Sequence, residues 1–180
     1  MKELSMHILD IAQNSVHADS KLVEIEICEK IEKNILEICI KDDGKGMDEE
    51  TLKKVTNPFY TSRTTRKVGL GIPMLKSAAE NCDGSFKMKS EVGKGTELTA
   101  SFRYDHIDRA PLGNIVDTVV TVVISDIKVD FIYRHYIDER CFILDTREIK
   151  EVLGDVPLNN IDVICWIKEH VKEGLEKIKQ

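Results

Sequence analysis

Apolar residues at Leu4, Ile8, Ile11 and Ala12, continued by Ser15, recur every three or four positions. That spacing predicts an amphipathic helix over residues 3–18 with a narrow apolar face. HADS then breaks the pattern. The next run, LVEIEIC (22–28), alternates: Val23, Ile25 and Ile27 fall on one side, Glu24 and Glu26 on the other, the period of a strand with one buried face. Residues 35–41 alternate in the same way through Leu36, Ile38 and Ile40, and EKIEKN supplies a turn between the runs, so a β-hairpin is expected. A short helix is predicted around 48–55, a polar loop in NPFYTSRTTRK, and a helix in GIPMLKSAAENC, where Pro73 is tolerated in the first turn. SFKMKSE and GTELTASFRY make a second strand pair about the tight turn VGKG.

Near residue 105 the character changes. DHIDRAPLGN reads as a linker and divides the chain into an expected domain at 1–105 and a small α+β unit at 106–180. IVDTVVTVVI is ambiguous: its β-branched content favours a strand, while Leu112, Ile115, Val119 and Val122 sit at helical spacing. VDFIYRHYI and RCFIL read as strands. DTREIKEVLG reads as a short helix, with Asp145 and Glu148 spaced as a capping box and Gly154 as its stop. NNIDVICWIKEHVKEGLEKIK closes the chain as a helix whose Ile164, Ile167, Val171, Leu175 and Ile178 form one stripe, for the core or for a second copy of the chain. The fold class is α+β.

Composition narrows the function more than the fold. A chain of 180 residues with 42% hydrophobic and 32% charged positions is a soluble globular protein. Its net charge of −6 argues against a nucleic-acid partner, which needs a broad excess of Lys and Arg. The apolar runs are far shorter than the ~20 residues of a membrane helix, and MKELSMHILD is expected to be no leader. The five cysteines show no CxxC and no histidine at zinc-ligand spacing, so reduced thiols and a cytoplasmic setting are expected. Cys28 and Cys39 lie on the two hairpin strands, and that pair alone keeps redox chemistry open.

Four stretches carry candidate chemistry: HILDIAQNSVHA on the first helix, DDGKGM (42–47) after a strand, VGLGIPMLK opening a helix, and GKGTELTASF on a late strand. Alone each is weak. Gly-Leu-Gly lacks the third glycine of a dinucleotide fingerprint, and Gly-Lys-Gly-Thr is not a P-loop. Asp10 lies one helical turn before Asn14, so both project from one face. Arg63, Arg66 and Lys67 form the densest positive cluster on an acidic chain; it reads as a phosphate contact or as a solvated loop. Gly69 and Gly71 lead into a helix whose first N–H groups offer an anion site.

Taken in order, the four stretches resemble the boxes of the GHKL superfamily (DNA gyrase, heat-shock chaperone, histidine kinase and MutL ATPases) over roughly residues 3–104. The resemblance implies a Bergerat-type ATP-binding α/β sandwich, a mixed sheet with helices on one side, here joined to the small C-terminal unit. It implies ATP and Mg²⁺ as ligands. Asn14 matches the asparagine that ligates Mg²⁺, a cation that asks for few protein oxygens. Asp10 matches the position of a general base, or serves as a second metal ligand. Asp42 matches the aspartate that accepts a hydrogen bond from the adenine amino group; guanine offers a carbonyl there instead, so this residue selects the base. Gly44, Gly46 and Met47 complete that box, the glycines letting backbone pass close to the ring, with Asp43 facing solvent. Phe59 resembles an aromatic found ahead of the ATP lid in many histidine kinases. Residues 61–67, with Arg63, Arg66 and Lys67, match the lid, and Gly69, Leu70 and Gly71 the phosphate-binding turn. Thr96 matches the strand threonine that backs the aspartate.

None of the five histidines stands in the H-[ED]-x-[RK] context of a phosphoacceptor, so a complete self-phosphorylating kinase is not expected. The function expected is a stand-alone kinase-like module passing the γ-phosphate of ATP to a partner protein. The rival expectations are an ATP-hydrolysing switch controlling dimerisation or partner docking, and a nucleotide sensor without turnover.

Overall fold

The computed structural model of the chain describes residues 2–57 and 70–180. Its frame is one mixed sheet of six strands. β1 (Leu22–Lys30) and β2 (Ile35–Asp42) form an antiparallel hairpin with Ile25 opposite Ile40 and Ile27 opposite Ile38. Their alternating apolar positions are all buried, while the intervening glutamates keep contact with water. Each such side chain contributes about 1.5–3 kcal/mol by leaving water, and a one-residue slip would turn all six outward, so the register is firmly set. Cys28 stands opposite Glu37, and Cys39 opposite Glu26. The two thiols therefore do not face each other as the hairpin reading allowed. All five cysteines are free, and burial, reinforced by Glu26, pushes the Cys28 thiol up to about 12.

β3 (Ser85–Glu91) and β4 (Gly95–Arg103) form the second hairpin, and β4 pairs antiparallel with β2. α1 (Leu4–His17) lies on β1 and β2, and α3 (Gly71–Asn81) on β4 and β3. The short α2 (Glu49–Val55) follows DDGKGM, started by Asp48, whose carboxylate accepts from the Thr51 N–H.

Beyond residue 105 the chain returns to the same sheet. The ambiguous run forms α4 (Ile115–Ser125), because its helical spacing seats Ile115, Val119, Val122 and Val123 in the core, where α4 packs on α1. β5 (Asp130–Ile137) then pairs in parallel with β1, and β6 (Arg140–Asp145) adds to it, giving the order β3-β4-β2-β1-β5-β6. α5 (Thr146–Leu153) is capped by Asp145, whose carboxylate accepts from the Arg147 N–H. α6 (Ile161–Lys179) buries Ile167, Val171, Leu175 and Ile178 against the sheet and α4, so its stripe is core. Residues 106–180 thus share one sheet and one hydrophobic core with residues 2–105. Two polar ties reinforce this. The Leu4 and Ser5 N–H groups donate to the carbonyls of Pro111 (3.0 Å) and Leu112 (2.8 Å), so the linker satisfies the start of α1, which has no side-chain cap. Glu29 on β1 holds His135 on β5 (Oε1 to Nε2, 2.7 Å) and accepts from the Tyr104 hydroxyl (2.9 Å), while His135 Nδ1 meets the Tyr133 hydroxyl (2.6 Å).

Candidate functional site

β2 ends on Asp42, which the strand's alternation turns toward the helical side beneath α1. The side chain is 8% exposed. Its Oδ2 accepts from the Ser15 hydroxyl (2.6 Å) and its Oδ1 from the Gly44 N–H (2.9 Å). Ser15 is held in turn, since its carbonyl accepts from the Ser20 hydroxyl (2.6 Å). A second polar layer stands beside it. Thr96 is the cross-strand neighbour of Asp42, and its hydroxyl pairs with that of Ser90 (2.8 Å), which also accepts from the Met47 N–H (2.8 Å). Asp43 is exposed, yet it is structural: its Oδ1 accepts from the Lys21 and Leu22 N–H groups (2.8 and 2.9 Å) and fixes the entry to β1.

Asp42, Ser15, Met47 and Thr96 border a cavity of about 630 Å³. Ile11, Ile40, Ile72, Met88 and Leu98 give it apolar walls; Asp42 and Thr96 supply polar atoms. Such a volume, mostly apolar with few convergent polar groups, suits a flat heteroaromatic ring and its substituents. Asn14 lines the same cavity from α1, and its carboxamide has no hydrogen-bond partner among the described residues. His17 and Lys45, both exposed, line it as well.

Asp10 sits apart from that lining. One turn before Asn14, it packs against Gly71 at the start of α3, where a Cβ would overlap its carboxylate. Its Oδ2 is buried and without a hydrogen-bond partner among the described residues, as is His7 Nδ1 one turn earlier. Burial holds the His7 pKa below the ordinary histidine value, against the neighbouring Gly71 backbone and Asp10 charge. An unpaired buried carboxylate oxygen is costly, and this one stands against the start of α3.

Of the residues picked out in the sequence, Asn14, Asp42, Gly46, Met47 and Thr96 meet around the cavity. Gly44 and Gly46 lie at the same bend, but the missing Cβ serves the chain itself. At Gly44 it would strike the Ala18 carbonyl and Ser20, and at Gly46, with φ of 65°, the Glu91 carbonyl. Leu70 is 54% exposed at the start of α3. Phe59, Arg63, Arg66, Lys67 and Gly69 lie outside the described residues. Ser15 and Ser90 were not singled out. A hydroxyl on the apolar face of the first helix was a signal for Ser15; Ser90 becomes visible only through the pairing of β3 with β4.

For a divalent cation, Asn14 offers a free hard oxygen, and no group of three or more His, Cys, Asp or Glu side chains among the described residues could hold one. The donor set therefore fits a cation carried in with an anionic ligand.

The protein-family model described as histidine kinase-, DNA gyrase B- and HSP90-like ATPase matches residues 2–106. Sporulation kinase C of Bacillus subtilis (strain 168) is 32% identical over 94 residues, covering 52% of this chain and 22% of that protein. Sensor histidine kinase YvrG of the same organism is 33% identical over 94 residues, 50% of this chain and 16% of that protein. The chain thus spans about a fifth of the length of these curated relatives. Among solved structures, the Aquifex aeolicus MutL ATPase domain complexed with ADP shares the fold with a TM-score of 0.54 at 14% identity, over 94% of this chain and 88% of that one. That likeness runs through the C-terminal segment too.

Proposed function

The chain belongs to the histidine kinase-, DNA gyrase B- and HSP90-like ATPase family, and on that premise we propose that its cavity binds ATP with Mg²⁺ in the cytoplasm and that the protein passes the γ-phosphate to a partner protein. One observation carries the reading: a nearly buried aspartate, Asp42, at the polar end of an otherwise apolar cavity. Ser15 and Gly44 orient its carboxylate, each carboxylate oxygen keeps a free lone pair, and an exocyclic amino group is the donor that matches it. Ile11, Ile40 and Leu98 would exclude water from the faces of the purine. Asn14 would hold the magnesium ion, whose chemistry is to neutralise charge on the phosphates. The part played by this chain is then positioning, which is most of what phosphoryl transfer asks. Kinases such as sporulation kinase C and YvrG support transfer to a protein over other fates.

A second reading, hydrolysis, is favoured by Asp10. Its carboxylate oxygen, buried against the start of α3 and unpartnered among the described residues, supports that reading, in which it would take a proton from an attacking water. Purified protein with γ-labelled ATP separates the two. Label moving to an added protein fraction, with little free phosphate, supports transfer. Steady phosphate release that Asp10→Asn abolishes supports hydrolysis. Asn14→Ala is expected to remove the Mg²⁺ dependence of ATP binding, measured by calorimetry with and without the metal, and unchanged dependence would overturn the Asn14 assignment.

A further inference from the structure

At the end of the sheet away from the cavity, β6 is the edge strand, and among the described residues no backbone group pairs with its outer side. Together with α5 and α6 it borders a groove of about 470 Å³. Ile143, Ile149 and Leu153 line it, and Trp166 and Val152 stand at its wall. Trp166 is 52% exposed, Ile143 50% and Val152 88%. The indole is nevertheless fixed: it stacks on His170 with centroids 4.9 Å apart and planes 8° apart, and His170 meets the Phe142 ring edge-on at 5.5 Å. α6 comes this close to β6 because a Cβ at Gly174 would collide with Phe142.

A half-exposed, rigid tryptophan among exposed aliphatic side chains is the composition of an interface centre rather than of ordinary surface. The rim adds a sign. Glu148 lines the groove, Glu151 lies one turn of chain further on the exposed side of α5, and neither has an ion-pair partner among the described residues. The cations beside Glu148 and Glu151 on α5 are already engaged, Arg147 with Asp145 (2.7 Å) and Lys150 with Asp130 (2.6 Å), as is Lys168 on α6 with Asp117 (2.8 Å), while Arg140 stands at the far end of β6. Free strand edges are ordinarily blunted by charge or proline along their length, whereas β6 carries apolar residues from Cys141 to Leu144.

We propose that β6 and this groove accept an extended segment of a partner protein, added as a further strand, with apolar side chains at alternate positions and Lys or Arg between them. Main-chain hydrogen bonds to β6 would hold it, the groove would select the apolar positions, and Glu148 and Glu151 the basic ones. A second copy of the chain fits less well, since its own edge strand, RCFILD, carries a single basic residue. β1 and β5 lie between this edge and the nucleotide cavity, so the proposal does not depend on what the cavity binds.

Trp166 is the only tryptophan in the chain, so its emission reports on the groove directly. The full chain would be titrated with a synthetic peptide of about ten residues, a long strand's worth, alternating Val with Lys or Arg. The expected result is a saturable blue shift together with slowed amide exchange at residues 140–145. Exchanging the basic residues of the peptide for Glu is expected to abolish the effect. Glu148→Lys combined with Glu151→Lys, both exposed positions, is expected to weaken binding of the basic peptide about tenfold, and Val152→Ser, which removes apolar contact without changing charge, is expected to weaken it too. Equal binding of the acidic peptide, absence of a saturable shift, or a shift that leaves exchange in β6 unchanged would overturn the proposal. So would a blue shift without peptide that grows with protein concentration alongside dimer in sedimentation, which would assign the edge to a second copy.

Discussion

Asp42 meets only two hydrogen-bond donors among the described residues, the Ser15 hydroxyl and the Gly44 N–H, and both belong to its own chain. An amide in its place would keep one acceptor and set an NH₂ group against the other donor. Asp42→Asn is therefore expected to weaken ATP binding by about 1–3 kcal/mol, the cost of a mispaired buried polar group. Isothermal calorimetry with ATP and GTP checks this, and equal ATP affinity in variant and parent would remove Asp42 from base recognition. The DDG of the sequence could be seen to matter at the level of residue type. The Ser15 contact could not, because it joins positions 27 residues apart and exists only once α1 lies across the end of β2. Asp43 shows the converse. Its exposure was legible, but its two backbone acceptor bonds were not.

Elements followed their patterns where one face met the core and the other met water. The hairpin β1–β2 and the helix α1 read cleanly for that reason. The run that became α4 did not, because nine of the ten residues of IVDTVVTVVI are β-branched and speak for a strand against the helical spacing; packing against α1 and α6 decided it. Between β1, the residue that follows β4, and β5 runs the Tyr104–Glu29–His135–Tyr133 chain of hydrogen bonds. One tautomer satisfies all of it, with Tyr133 donating to Nδ1 and Nε2–H donating to Glu29. Burial works to raise the Glu29 pKa, but the hydrogen bonds from His135 and Tyr104 outweigh it and hold the pKa below the ordinary value. A carboxylate lowered on folding adds stability above its unfolded pKa of about 4.3 and loses it as pH falls through the lower folded value. The stability gap between the parent and Glu29→Gln is therefore expected to be full near neutrality and to close on acidification below that point. Urea unfolding across a pH series measures it, and a gap independent of pH would show that ionised Glu29 does not tie β1 to β5.

For the molecule as a whole, one sheet carries two ends with different characters: the cavity at β2 and β4, and the open edge at β6. The linker composition near residue 105 suggests a seam, but β5 pairs with β1 along its length, and α4 covers α1. Cutting the chain after residue 105 would expose a full strand edge and the buried face of the helix that bears Asn14. The 1–105 fragment is expected to lose cooperative unfolding, followed by circular dichroism on heating. A fragment that melts cooperatively and binds ATP like the whole chain would show that the shared core is dispensable.

What the amino-acid order determined by itself was local. Alternation placed the strands, spacing placed the helices, and the succession of an asparagine-bearing helix, DDGKGM and two glycine turns pointed to the family. Such signals lie within one or two turns of chain, where backbone geometry alone sets which side chains share a face. Only the tertiary structure decided that residues 106–180 complete the sheet, that Ser15 steadies Asp42, and that Trp166 stands half in water beside a free edge. Those facts depend on strand pairing and helix docking between distant segments, and their partners are chosen by how the whole set of apolar faces is buried at once.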